Sequence, residues 1–226
     1  PIQATAEGNN DQIRVLHLTD PHLFADPEGS LRGTNTRASL EKVLAHYAAG
    51  DWRAHRVIVT GDIIQDDSAE AYDNGREWQL PQKLRTHCVP ANHEIRDRMR
   101  PECGRPPFSY CAFEEIGDGV LVGIDSCIRG DAGGEVVKEE LDRLAEIVVR
   151  SPAQHVMVCL HHPPVPMGSK WLDSVGLKNG DEVLERLRML GRIRAVAFGH
   201  VHQDYDDMYE GIRILATPST CAQFKP

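Results

Sequence analysis

The sequence predicts an α/β protein. Short apolar strands alternate with amphipathic helices along most of the chain, which is typical of folds built around parallel sheets. Acidic and histidine side chains directly follow several of these strands, and α/β proteins place their functional groups in the loops at strand carboxyl ends. The 226 residues are 41% hydrophobic and 26% charged, which is enough for one sizeable core. We therefore expect a single domain over residues 1–226, with a flexible N-terminus at residues 1–11.

Three strands and two helices are expected in the first half of the chain. The first strand is a mostly apolar run that leads to Asp20, and the second is a short β-branched run that ends at Gly61. Asn35 or Thr36 is placed to cap the first helix, and Gly50 ends it. The predicted strands are residues 13–18, 57–60 and 88–89, and the second predicted helix is residues 68–84.

The second half returns to the same alternation after an irregular segment. Pro, Gly and Arg interrupt every pattern from Ile95 to Gly119, so we expect a loop there, with a strand possible at residues 108–113. The acidic stretch from Asp204 to Glu210 contains two tyrosines and is interpreted as a solvated hairpin. Further strands are predicted at residues 120–124, 155–160, 194–198 and 212–216, and helices at residues 138–150 and 181–190.

Seven polar side chains follow predicted strands and are candidate metal ligands. Asp20 and His22 stand two residues apart after an apolar run, so both side chains leave the strand end on the same side. Taken alone, an aspartate or histidine at a strand end is usually a turn or capping residue. Seven together favour a metal site. The full set is Asp20, His22, Asp62, Asn92, His161, His200 and His202.

The chemistry of this set indicates two divalent cations. Imidazole, carboxylate and amide donors without a thiolate suit Zn²⁺, Mn²⁺ or Fe²⁺. Seven ligands are too many for one ion, whereas two ions that share one bridging carboxylate would use them all. In the pair His161-His162 either histidine could be the ligand. Isolated histidines such as His17 are interpreted as structural or surface residues.

Charge and hydropathy exclude several classes of function. The formal net charge of −9 argues against a surface that coats nucleic acid, which needs clustered Lys and Arg. No apolar run approaches the roughly 20 residues that span a bilayer, and residues 1–12 lack a signal-peptide pattern. We therefore predict a cytoplasmic protein with no nucleic-acid or membrane partner. Its six cysteines show no Cys-x-x-Cys spacing and are expected to be buried free thiols.

The order of the motifs resembles a known family. Asp-x-His at residue 20, Gly-Asp at 61, Asn-His-Glu at 92, His-His-Pro-Pro at 161 and Gly-His-x-His at 199 look like the calcineurin-like metallophosphoesterases. Within that family the chain is most similar to the bacterial class III 3′,5′-cyclic AMP phosphodiesterases. That closer resemblance depends on Thr60-Gly-Asp62 with Gln65-Asp66, on the stretch around Trp171, and on the C-terminal run from Leu215 to Pro226.

The resemblance implies a fold, a site and a reaction. The fold would be a four-layer α/β/β/α sandwich, the metallo-dependent phosphatase fold. Asp62 would bridge two metals and His93 would neutralise developing charge or protonate the leaving oxygen. Hydroxide held between the metals would convert 3′,5′-cyclic AMP to 5′-AMP and lower cyclic nucleotide signalling. One metal would be held by Asp20, His22 and His202, and the other by Asn92, His161 and His200; the substrate would meet His22, Asp62, Asn92, His93 and His202.

Three departures from the family pattern, and two rival functions, qualify this expectation. Ala91 and Glu94 stand where the family usually has Gly and Asp, so a positive φ at residue 91 would strain the loop. The resembling enzymes continue beyond Pro226, so we expect a C-terminal segment of the full protein to be absent.

A phosphodiesterase or phosphomonoesterase of broader specificity could use the same metals. A non-catalytic scaffold is the other alternative, and no oligomeric state is predicted.

Overall fold

The computed structural model describes residues 12–79 and 84–224 of the chain. The flexible N-terminus predicted for residues 1–11 lies outside these ranges, as do residues 80–83 at the end of the second predicted helix. Within the described ranges, no helix combines the length and apolar character needed to cross a bilayer.

Two sheets carry the fold. The first has the strand order β1-β4-β5-β6 and is parallel throughout. The second has the order β11-β12-β10-β9-β8-β7, with a parallel centre and an antiparallel strand at each edge. A two-stranded hairpin, β2-β3, follows β1. The strands are β1 (Val15–Leu18), β2 (Ser30–Leu31), β3 (Thr34–Asn35), β4 (Arg56–Val59), β5 (Thr86–Cys88), β6 (Phe108–Tyr110), β7 (Phe113–Ile116), β8 (Gly119–Gly123), β9 (His155–Cys159), β10 (Ile193–Phe198), β11 (Tyr205–Tyr209) and β12 (Ile212–Ala216).

Six helices are formed by the described residues. The first begins as its sequence predicts, because the Asn35 side chain accepts a hydrogen bond from the backbone N–H of Ala38. The fourth buries one apolar stripe that includes Leu141, Leu144 and Val148. The helices are α1 (Thr36–Ala49), α2 (Ala69–Gln79), α3 (Arg96–Cys103), α4 (Lys138–Arg150), α5 (Lys170–Ser174) and α6 (Gly180–Met189).

Side chains that alternate along the strands build the predicted four layers. In β4, Val57 and Val59 join a core with Leu40 of α1 and Tyr72 of α2, whereas Ile58 points to the opposite face. On that opposite face the first sheet meets Leu121, Cys159 and Ala197 of the second sheet. The outer face of the second sheet packs on α4 and α6. The order of layers is therefore helix, sheet, sheet, helix.

The loop expected from residue 95 to residue 119 is wrong at residues 96–103, which form α3 although Pro101 lies inside the helix. The strand considered possible at residues 108–113 is present in its first half, residues 108–110, and residues 113–116 form a second, separate strand. Only Met99 and Cys103 of α3 are buried, so its sequence carries little apolar periodicity. The hairpin β2-β3 and the short helix α5 were also not predicted. All six cysteines are free thiols, as expected.

Glu114 joins the two sheets through contacts with two arginines and one histidine. Its carboxylate accepts two hydrogen bonds from Arg56 of β4, at 2.7 and 2.9 Å, and one from His87 of β5 at 2.8 Å. Arg85 adds a weaker contact at 3.2 Å. The bonds from Arg56 are the main reason that the pKa of Glu114 falls from 4.5 to about 2. The folded state therefore favours the ionised carboxylate.

We expect Glu114→Gln to lower the free energy of unfolding by about 2 kcal/mol at neutral pH, because two charge-assisted bonds to Arg56 are lost. A carboxylate whose pKa is depressed on folding stabilises the protein above its unfolded pKa, and this contribution is lost as the pH falls toward the folded pKa. The difference between variant and wild type should therefore shrink as the pH falls from 4.5 toward about 2. Urea denaturation of both proteins across this pH range measures the difference in the free energy of unfolding.

The matched control is Glu146→Gln, because Glu146 forms an exposed pair with Arg150 on α4. Exposed pairs contribute little, so this variant should match the wild type at each pH. A pH-independent loss in Glu114→Gln would contradict the ionic origin of the effect.

Candidate metal centre

The seven predicted ligands come together where the carboxyl ends of both sheets meet. Asp20 and His22 follow β1, Asp62 follows β4 and Asn92 follows β5, all in the first sheet. The second sheet contributes His161 after β9, and His200 and His202 after β10. Because the central strands of each sheet are parallel, their loops open at one edge, and the face-to-face packing brings the two edges together.

Five of these seven residues have a backbone conformation that non-glycine residues rarely adopt. Their φ angles lie between 46° and 71°. Such conformations cost free energy and concentrate at functional sites, although Asp and His tolerate them better than most residues. The five are Asp20, His22, Asp62, His200 and His202.

The first group of donors surrounds His202. Its Nε2 lies 3.1 Å from Nε2 of His22 and 3.4 Å from Oδ1 of Asp20. All three side chains are buried, and their donor atoms all lie within 4.8 Å of one another, which is close enough to hold one ion. This group matches the ligand set that the sequence resemblance implies for one metal.

The second group surrounds His161, and Asp62 lies between the groups. His161 Nε2 lies 3.1 Å from Oδ1 of Asn92 and 3.0 Å from Nδ1 of His200. One oxygen of Asp62, Oδ2, is 3.6 Å from His161 Nε2 and 3.7 Å from His22 Nε2. Asp62 is therefore positioned to serve both groups.

Three imidazoles donate a hydrogen bond from Nδ1 to a protein acceptor outside the centre, and this orients the lone pair of Nε2 toward the centre. Nδ1 of His161 donates to the Thr60 carbonyl at 2.7 Å, and Nδ1 of His22 donates to Oε1 of Gln65 at 2.7 Å. Nδ1 of His202 donates to the Ala222 carbonyl. With Nδ1 protonated, Nε2 of each ring is the unprotonated nitrogen, which is the form that binds metals.

The protonation preferences of the centre also fit a bound cation. Burial lowers the pKa of His22 and of His200 to about 4, so both imidazoles are neutral at neutral pH. Burial, and then repulsion from Asp20, raises the pKa of Asp62. Asp20 therefore disfavours the ionisation of Asp62, and a cation between the two carboxyl groups would remove that conflict.

The spacing of the donors gives a second test of fit. Nitrogen ligands bound about 2.0–2.1 Å from one ion and about 90° apart lie about 3 Å from each other. The nitrogen pairs His22–His202 and His161–His200 stand 3.1 and 3.0 Å apart. In the pair His22–His202 both Nδ1 atoms carry the proton of their ring, so the contact between the two Nε2 atoms is not a hydrogen bond. The residues present therefore fit the divalent metals expected from the sequence.

The ring nitrogens of His162 are less available for metal binding than those of His161. Its Nδ1 pairs with the Ser126 hydroxyl at 2.9 Å and its Nε2 donates to the Ala132 carbonyl at 3.3 Å. Both ring nitrogens are thus engaged by protein groups, although the ring lies close to His161 and His200. This favours His161 as the ligand.

His93 lies at the edge of the centre and is held by Gln65. The Gln65 amide donates to Nδ1 of His93 at 3.2 Å, which leaves the proton of the neutral ring on Nε2. The same amide accepts from His22 through its oxygen, so one side chain orients both rings. The rings of His22 and His93 meet edge to face at 5.1 Å. Gln65 was quoted in a motif, but nothing in the sequence indicated this double role.

The departures at residues 91 and 94 are accommodated. Ala91 is not among the residues with positive φ, so the strain considered for this position does not arise. The Glu94 carboxylate accepts hydrogen bonds from the backbone N–H groups of Ala91, Ile63 and Ile64. It therefore ties the loop that carries Asn92 to the loop that carries Asp62. Burial raises the pKa of Glu94 to about 7.

A buried chain of hydroxyl groups reaches Asp20 from the interior. Nε2 of His17 donates to the Thr60 hydroxyl at 2.9 Å, which donates to the Thr19 hydroxyl at 2.7 Å. Thr19 donates to Oδ2 of Asp20 at 2.5 Å. His17 was interpreted from the sequence as an isolated residue, and the pairing of β1 with β4 is what gives it this role. Thr19 and Thr60 each stand directly before a candidate ligand loop, and this shared position is the signal that could have indicated the hydroxyl chain.

Comparison with known proteins agrees with this geometry. The family model described as calcineurin-like phosphoesterase matches residues 13–204. The chain belongs to this family. The matched residues include all seven candidate ligands.

Curated relatives and solved structures extend the comparison. The 3′,5′-cyclic adenosine monophosphate phosphodiesterase CpdA of Haemophilus influenzae is 34% identical over 95% of this chain and 78% of its own length. The CpdA of Escherichia coli K12 is 33% identical with the same coverage. A dimetal phosphatase from Danio rerio superposes with a TM-score of 0.72 at 14% identity, covering 92% of this chain and 88% of its own. At that identity the likeness shows the fold alone.

Proposed function

We propose that this calcineurin-like phosphoesterase hydrolyses 3′,5′-cyclic AMP to 5′-AMP with two divalent cations. The observation that carries the proposal is the convergence of seven donors in two groups that share Asp62. The CpdA relatives, 33–34% identical over 95% of the chain, support the choice of substrate. A cytoplasmic location remains part of the proposal.

The ligands divide as the two groups do. Asp20, His22 and His202 would hold one cation, Asn92, His161 and His200 the other, and Asp62 would bridge. The mixed nitrogen and oxygen donors suit Fe²⁺, Mn²⁺ or Zn²⁺, and we propose these as the candidate metals. When bound, the cations supply positive charge for the phosphodiester and lower the pKa of an attacking water molecule.

The protein contributes orientation and a proton. Asn92 and His93 lie beside Asp62, and the His93 backbone N–H donates to Oδ1 of that carboxylate at 3.2 Å. This bond leaves Oδ2 facing the centre. Nε2–H of His93 is the donor that would stabilise or protonate the leaving 3′-oxygen. His22 and His202 complete the floor on which the phosphodiester would rest.

The proposal is tested by metal analysis combined with turnover. We expect about two metal ions per chain, and production of 5′-AMP that stops on chelation and returns with Mn²⁺ or Fe²⁺. Rates on bis(p-nitrophenyl) phosphate and on a phosphomonoester should both be below the rate on cyclic AMP. Faster monoester turnover would favour the broader phosphatase. Absence of both metal and turnover after refilling would favour a scaffold.

Gln65→Ala should lower turnover of cyclic AMP by about 10- to 100-fold, the usual cost of losing a residue that orients metal ligands. The change frees His22 to rotate and removes the bond that sets the tautomer of His93. Steady-state kinetics at saturating metal measure the loss. Gln154→Ala is the control, since Gln154 is exposed and its side-chain amide contacts only the Pro152 carbonyl among the described residues. Equal rates for both variants would contradict the orienting role.

A further inference from the structure

The mouth of the candidate metal centre is lined by apolar and aromatic side chains. A cavity of about 260 Å³ has the metal-site residues as its floor. Its volume is near the lower end for small-molecule sites, which suits one nucleotide unit. The rim consists of Leu31, Arg32, Ala132, Trp171, Val175 and Phe224.

Phe224 connects the floor to the rim. Its ring stacks on the ring of His202, with centroids 3.9 Å apart and planes at 10°. The guanidinium of Arg32 lies over the Phe224 ring at 4.9 Å from its centroid. Because His202 stacks on the Phe224 ring and the Arg32 guanidinium lies over it, Phe224 is already engaged by two neighbours. It serves as a spacer that holds Arg32 above the floor.

Trp171 keeps a free surface beside this stack. Its ring meets Phe224 edge to face, with centroids 5.0 Å apart and planes at 77°. The neighbouring Leu172 is fully buried and anchors α5, so Trp171 points outward and remains 49% exposed. A large aromatic side chain half exposed at the mouth of a site is a stacking surface for a flat ligand.

Arg32 is an exposed cation without a carboxylate partner in the described parts of the chain. It occupies the two-residue turn between β2 and β3, where Arg32 and Gly33 have φ of 51° and 82°. Positive φ at both central positions defines the tight hairpin turn that matches strand twist. The planar guanidinium can therefore stack on a base or donate to its ring nitrogens.

The rim lies outward of the place where a phosphate would sit. The two centroid distances put Arg32 no more than about 9 Å from the His202 ring. A nucleoside whose phosphate rests on the floor projects toward that rim.

We propose that the purine base of the substrate binds at this rim, stacked on the Trp171 indole and faced by the Arg32 guanidinium. This inference rests on the proposed function, and it names the groups that select the nucleoside. Adenine and guanine both offer a flat face and an N7 acceptor, so the rim selects a purine rather than one particular purine.

The test compares 5′-AMP with ribose 5-phosphate, which carries a hydroxyl group where 5′-AMP carries the base. Metal-loaded wild type, titrated calorimetrically, should bind 5′-AMP about tenfold more tightly than ribose 5-phosphate, since stacking of one base on an aromatic side chain is of that order. Trp171→Ala should reduce this ratio to about one to two, and Trp171→Phe should restore part of it. Arg32→Ala should lower it several-fold. The KM for cyclic AMP should rise about tenfold in Trp171→Ala, with kcat within about twofold.

Matched controls come from the same chain. Trp52→Ala removes another half-exposed tryptophan, one that packs on Tyr47 of α1. Arg194→Ala removes an exposed arginine of β10 whose guanidinium, within residues 12–79 and 84–224, bonds only to the Gly191 carbonyl. Both should keep the wild-type ratio. Retention of the full ratio in Trp171→Ala and Trp171→Phe, or a wild type without any base preference, would overturn the inference.

The outcomes for the base site and for the reaction are separable. A protein that turns over cyclic AMP but binds 5′-AMP and ribose 5-phosphate equally would keep the proposed function and refute the base site. A protein that prefers 5′-AMP through Trp171 yet does not hydrolyse cyclic AMP would refute the proposed function alone.

Discussion

Asp62→Ala is expected to lower cyclic AMP turnover by about 10³-fold or more and to reduce bound metal from about two ions per chain to one or fewer. The reason is that one oxygen of Asp62 stands 3.6 Å from His161 and 3.7 Å from His22, so both groups of donors depend on it. Its removal also deletes one of the two carboxylates among the seven candidate ligands. Elemental analysis of the purified variant and a 5′-AMP assay measure the two effects.

The control for this variant is Asp207→Ala, which removes an exposed carboxylate of β11. It should keep metal content and turnover. If Asp62→Ala kept two metals and wild-type turnover, the assignment of Asp62 as the bridging ligand would be wrong. If it kept the metals and lost turnover, Asp62 would act on the substrate rather than as a bridge.

Gly199→Ala is expected to lower metal affinity and turnover by about 100-fold, because the loop after β10 has no room for a side chain. A Cβ at residue 199 would lie 2.5 Å from the Thr60 carbonyl oxygen and 2.9 Å from Oδ2 of Asp20, and would also meet the Thr19 hydroxyl. To relieve the contacts, the loop that carries His200 must move away from Asp20. Metal titration and turnover measure the loss.

Gly50→Ala is the matched control. Gly50 ends α1 with an ordinary φ of −79°, and a Cβ there would make only van der Waals contact, at 3.6 Å from the Tyr47 carbonyl. That variant should bind metal as the wild type does. Normal metal affinity in Gly199→Ala would show that the two sheets can separate at this edge without disturbing the donors.

Local signals predicted those elements whose stability is largely local. The helix α1 has its capping asparagine and its terminal glycine, and α4 has an apolar stripe that matches the helical period. By contrast, α3 contains Pro101 and buries only two side chains, so its helical state depends on packing against neighbouring elements. The sequence pattern at residues 95–119 could not indicate that packing.

The seven candidate ligands were predictable because each stands at a fixed place relative to a strand. A strand end followed by a polar donor is a local pattern, and five such patterns in order carry the resemblance to the family. The structure brings all seven donors into one site. The preference for His161 over His162 needed more, since adjacent histidines are equivalent until Ser126 and the Ala132 carbonyl engage one of them.

The sequence by itself determined the α/β class, most of the helices and strands, the donor set and the family resemblance. The tertiary structure alone decided which side chains orient those donors and which form the mouth of the site. Gln65 meets His22 and His93 across two loops, and Phe224 stands between His202 and Arg32, which are far apart in the sequence. No periodicity links such residues. Parallel pairing of β1, β4 and β5 within the first sheet places Gln65 beside His22 and His93. The packing of the second sheet on the first, through an apolar layer that includes Ile58 and Ala197, brings His202 and Phe224 to Arg32.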